Sequence, residues 1–220
     1  MELNIRRALW VALYAIAMAA VESAVVVYLR ALHGDGGAEL LSVLLHEIPD
    51  RLVTIEVGRE VATLVMLVAV AALAARNAWE GFLYLALAFG VWDIFYYVWL
   101  WVFIGWPPSL FTWDVLFLIP VPWLGPVLAP VIVSLCLVAG SLWLLSRSAL
   151  RLSRGAWVLA SVGAVLVLLS FTIDYHYALT RTDPPRFWWE MFWAGIAIAV
   201  VGVAWGSRRA TLLGRTAPRT

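Results

Sequence analysis

Apolar residues run along this chain in blocks that are long, unbroken and separated by short polar breaks. Six blocks stand out: Ala8–Leu29, Leu52–Ala75, Gly81–Ile104, Leu124–Leu145, Ala156–Tyr177 and Phe187–Trp205. A helix rises about 1.5 Å per residue, so roughly 20 residues cross a hydrocarbon core of about 30 Å. Each block is near that length and apolar on all sides, as a lipid-facing helix should be. The pattern predicts an all-α, polytopic membrane bundle of six spanning helices. It forms a single transmembrane domain over residues 1–220.

One stretch departs from the pattern. Trp106–Trp123 places Pro107, Pro108, Pro120 and Pro122 around the apolar run Leu110–Ile119. A run this short cannot cross a bilayer as a helix, so the segment reads as re-entrant or interfacial. Pro126 and Pro130 follow at the start of the fourth span, where proline is tolerated in a first turn and kinks a helix beyond it. Near the N-terminus, Arg6 and Arg7 before Ala8–Val21 imitate a leader peptide, with Ala17-Met18-Ala19 resembling a cleavage site. The apolar run continues through Leu29, which favours a span.

Composition supports this class and excludes others. Hydrophobic residues make up 64% of the chain and charged residues 13%. Soluble domains are about half apolar and about a quarter charged. Six spans leave no room for a soluble domain. The 15 basic residues are all arginine and the net charge is +1, so there is no electrostatic footprint for nucleic acid. The single cysteine, Cys136, permits no intrachain disulfide. His33, His46 and His176 are not paired across mid-span positions, which argues against haem.

The arginines orient the bundle. With the N-terminus inside, Arg6, Arg7, Arg76, Arg147, Arg151, Arg154, Arg208, Arg209, Arg215 and Arg219 face inward. Arg30, Arg51, Arg181 and Arg186 face outward. This bias places both termini in the cytoplasm, as expected of a multi-pass protein of a bacterial inner membrane. A seventh span at Trp106–Trp123 would blur the bias.

Ionisable residues inside spans are costly and point to function. By helical rise, Glu22 lies about 21 Å and Asp93 about 18 Å from the inner surface, and Glu60 about 12 Å below the outer one. These three acids therefore share a level in the outer half, whereas the inner half holds none. A transporter usually carries polar groups near the midplane with a route to both sides. The pattern instead suggests an acidic, aromatic-lined cavity open to the outer side, with an apolar floor. Glu56, Arg59, Glu60 and Thr63 share one helical face, on which Arg59 can neutralise one glutamate. Asp93, Tyr96 and Tyr97 share another, and Asp174 and Tyr177 a third. The central candidates are Glu22, Glu60 and Asp93 as catalytic acids. Glu56, Arg59, Tyr96, Tyr97, Asp114, Asp174 and His176 are candidates for binding. For Asp114 a turn role is favoured, and for Asp174, His176 and Glu190 simple interfacial solvation; His33, His46, Glu47 and Asp50 read as loop residues.

Three function classes fit. Carboxylic acids in an apolar pocket can act as general acids or bases, and Trp92, Tyr96, Tyr97 and Trp99 would suit a lipid-like substrate or a cationic intermediate. Glu22, Glu56, Glu60 and Asp93 could hold a divalent cation, although no Glu-x-x-His or His-x-x-x-His spacing is present. A proton- or cation-coupled transporter or channel is the second class. An accessory or assembly subunit of a larger membrane complex is the third.

Two stretches, Gly58–Leu67 and Phe89–Tyr97, together with Trp113-Asp114 and Gly125–Pro130, resemble a group of uncharacterised bacterial multi-pass membrane proteins. The resemblance covers about the first two-thirds of the chain. It implies a bacterial inner-membrane location and carries no activity or site residue.

Overall fold

The structure, a computed structural model, describes residues 5–33, 50–147, 151–180 and 186–216. His46, Glu47 and Arg181 lie outside the described residues. The chain order is α1 (Ile5–His33), α2 (Asp50–Ala74), α3 (Ala78–Ile104), β1 (Trp113–Phe117), β2 (Trp123–Pro126), α4 (Leu128–Leu145), α5 (Arg154–Thr172), α6 (Tyr175–Thr180) and α7 (Trp189–Thr216). Among the described residues, six helices are long and apolar enough to cross a membrane: Ile5–Ala31, Val53–Ala74, Ala78–Ile104, Leu128–Leu145, Arg154–Tyr177 and Trp189–Ser207. This is the architecture of a multi-pass helical membrane protein.

Local chemistry sets the helix ends. Asn77 caps α3, its side chain accepting from the Glu80 N–H at 3.1 Å. Ser153 caps α5 by accepting from the Ala156 N–H at 3.3 Å. Gly105, at φ 67°, closes α3 in the left-handed conformation that glycine adopts without a Cβ penalty.

The proline-bounded segment is a β-hairpin. Strands β1 and β2 pair antiparallel with Asp114 opposite Gly125 and Val115 opposite Leu124, and the register shifts between Val115 and Phe117. The prolines exclude a helix, and the Trp-Asp-Val-Leu-Phe run suits a strand. The hairpin also corrects the expected start of the fourth span. Leu124, Gly125 and Pro126 belong to β2, helix α4 begins at Leu128, and Pro130 falls in its first turn.

The helices form two packing units. One holds α1, α2, α3 and α4, with α3 touching each of the others. The second is the α5–α7 pair, which joins the first largely through β2. Small residues set both close contacts. A Cβ at Gly163 would lie 2.5 Å from the Gly195 carbonyl oxygen, and one at Gly195 would lie 2.7 Å from the Gly163 oxygen. The helix backbones therefore meet directly, as small residues allow in membrane bundles. In the first unit a Cβ at Gly90 would lie 2.7 Å from the Ser134 carbonyl oxygen, so α3 and α4 approach closely beside Asp93.

Candidate functional site

The in-span acids converge. Glu22, Glu56, Glu60, Asp93 and Asp114 are all buried, as are Ser23, Thr63 and Ser134. A small chamber is lined by Glu22 from α1, Glu56, Arg59, Glu60 and Thr63 from α2, Trp92, Asp93, Tyr96 and Tyr97 from α3, and Val115–Leu118 of the hairpin. The depth reading from sequence thus brought together residues from three helices. The chamber's volume is about 50 Å³, space for a water or two. It is too small for the lipid-like molecule expected from sequence, and that expectation needs a different cavity.

Each acid has its own partner. Arg59 pairs with two glutamates at once, through Nη1 to Glu22 and through Nε to Glu56 Oε2 at 2.7 Å. Thr63 Oγ1 also donates to Glu22. Glu22 is therefore matched by a cation from the next helix. Glu60 accepts from the Leu118 N–H, 3.0 Å from both carboxylate oxygens, and so fastens the hairpin to α2. Asp93 Oδ2 accepts from Ser134 Oγ on α4 at 2.7 Å. The sequence reading passed over Ser134, although its one polar group in the run Val131–Leu137 is a signal for such a bond. Among the described residues no group of three or more His, Cys, Asp or Glu side chains could hold a metal ion. Glu22, Glu56, Glu60 and Asp93 line one chamber without forming a metal-ligand set.

Asp114 lies in strand β1 and not in a turn. It is 1% exposed and accepts from Tyr97 Oη at 3.0 Å, which links β1 to α3. Nearby, the Arg30 guanidinium lies over Trp106, 4.3 Å from the ring centroid. Burial pushes the Asp114 carboxyl up from its ordinary 3.8 to about 7, against the lowering influence of the Tyr97 hydroxyl, Arg30 and the Val115 N–H. The native state then binds this proton more tightly than the unfolded chain. Its stabilising contribution is full below pH 3.8 and is lost as pH rises to about 7. Asp114→Asn should remove that slope from a plot of thermal stability against pH in detergent. An unchanged slope would show that other groups produce it.

Asp174 and His176 stand apart from the chamber. Asp174 Oδ2 accepts from Trp188 Nε1 at 2.7 Å, and the His176 ring lies 4.2 Å from that of Tyr177. The structure does not bring this pair to the acids.

The larger cavity lies between the two packing units. It is an apolar groove of about 340 Å³, at the lower end of the range for small-molecule pockets. Phe89 and Asp93 of α3, Leu116, Phe117 and Trp123 of the hairpin, and Ser134 and Leu137 of α4 form one wall. Val167, Leu168 and Phe171 of α5 and Ile196, Ala199 and Val200 of α7 form the other. Asp93 lines both the groove and the acidic chamber. It is the one charged side chain among the described residues of the groove.

No family model matches the chain, and no curated protein or solved structure matches it significantly.

Proposed function

We propose that this protein binds a hydrophobic, lipid-like molecule, with the apolar chain in the groove and a polar group at Asp93. The observation that carries this reading is the position of Asp93. It stands where an apolar cavity of useful size meets a polar chamber. An amphiphile has the same division. Burying its chain against Val167, Leu168, Ile196 and Val200 favours binding by the hydrophobic effect, about 25 cal/mol per Å² of apolar surface. Its polar end would meet Asp93, whose Oδ1 has no hydrogen bond among the described residues. If the protein transforms this molecule, Asp93 is the general acid or base in reach. The arginine distribution supports a bacterial inner membrane as its location, with both ends cytoplasmic.

The test is native mass spectrometry of protein purified in a mild neutral detergent. Wild type should retain a hydrophobic molecule of defined mass. Ala164→Trp, which places an indole in the groove from α5, should release it while the protein stays monodisperse. Absence of any retained molecule, or equal retention by Ala164→Trp, contradicts the reading.

A further inference from the structure

We infer that the polar end of the bound molecule is a cation, a protonated amine or an ammonium group. The inference rests on the groove reading and names the chemical class of its ligand. Its starting point is the charge around Asp93. The carboxylate receives one hydrogen bond, from Ser134, and no basic side chain among the described residues lies within ion-pair distance of it. Arg59, the arginine of the adjoining chamber, is committed to Glu22 and Glu56. The lining of that chamber sets Glu22, Glu56, Glu60 and Asp93 against Arg59 alone, an acidic excess beside the groove. The other nearby arginine, Arg30, lies over Trp106 and lines neither the groove nor the chamber. A carboxylate in an apolar wall needs a proton or a counter-charge, and a cationic head supplies the latter.

The aromatic rings favour the same class. Phe89, Phe117 and Trp123 line the groove together with Asp93. Phe117 lies 6.2 Å from Phe89 and 5.3 Å from Trp123 by ring centroid. Ring faces attract ammonium groups most strongly when water is excluded, and they offer an anion nothing comparable. An anionic head would meet the Asp93 carboxylate with no arginine among the described residues of the groove lining, and a neutral hydroxyl would supply no counter-charge.

Cys136 lines the groove and is the chain's single cysteine, so its alkylation reports occupancy without mutation. The full chain in neutral maltoside detergent is titrated with dodecylamine, dodecanol or dodecanoate, and the rate of Cys136 labelling by a fluorescent maleimide is followed. Dodecylamine should slow labelling at about tenfold lower concentration than the other two, as a charge-assisted contact implies. Asp93→Asn should bring dodecylamine to the level of dodecanol, and Gly140→Ala, on α4 but outside the groove lining, should preserve the preference. Should Asp93→Asn fail to fold, the ranking on wild type decides. Equal protection by all three compounds overturns the cationic assignment and leaves the groove reading standing. Protection by none overturns both. A preference for the amine that survives Asp93→Asn overturns the role of Asp93.

Discussion

Arg59→Met is expected to destabilise the protein by about 3–5 kcal/mol, the usual cost of stranding a buried charge partner. Arg59 holds Glu22 through one nitrogen and Glu56 through another, so it joins α1 to α2 and also balances two carboxylates on its own. Removing it strands both acids, which are 4% and 6% exposed. The triple variant Glu22→Gln, Glu56→Gln, Arg59→Met should recover most of the loss, because neutral amides need no counter-charge. Thermal unfolding of the two variants in one detergent checks this. If the single variant matches wild type, the ion-pair network contributes nothing to the fold. If the triple variant is no better than the single one, the packing of the arginine rather than its charge is what matters.

The second large effect lies in the α5–α7 pair. Gly195→Leu should cost about 3 kcal/mol or more, the upper end for overpacking a close contact. A Cβ there would sit 2.7 Å from the Gly163 oxygen and 2.9 Å from the Val167 backbone nitrogen. The first of these is backbone and the second is helix main chain, so neither can swing aside. The helices must part, and because Val167 and Ile196 wall the groove, its shape must change with them. Gly140→Ala is the control, since nothing lies within 4 Å of its Cβ. It should be neutral or slightly stabilising, by up to about 1 kcal/mol on helix propensity. Equal unfolding temperatures for Gly195→Leu and wild type would show that α5 and α7 do not pack backbone to backbone.

Much of this was legible in the sequence because depth follows from counting. In a membrane span, residue number converts to height at a fixed rise, so Glu22, Glu60 and Asp93 could be placed at one level before any contact was known. Facing is legible too, and Glu56, Arg59, Glu60 and Thr63 do line one chamber. Rotation between helices is not encoded in such counts. The pairing of Arg59 with Glu22 depends on how α1 turns toward α2, and the bond from Ser134 to Asp93 depends on the approach that Gly90 permits. The hairpin was half legible. Its short proline-bounded run excluded a spanning helix, but the bond from the Leu118 N–H to Glu60 joins residues 58 positions apart and has no local signature. The groove was the least legible feature. Its walls are ordinary apolar residues, and it exists because two packing units meet mainly at β2 and leave space beside α4.

The central claim is that an amphiphile occupies this groove with its head at Asp93. The most direct measurement is a cryo-electron microscopy structure of the full chain in nanodiscs of native lipid. Elongated density is expected between α4 and the α5–α7 pair, ending against Asp93 and Ser134. A groove closed by direct packing of Val167 and Ile196 onto Val133 and Leu137, with density at Asp93 absent, would contradict it.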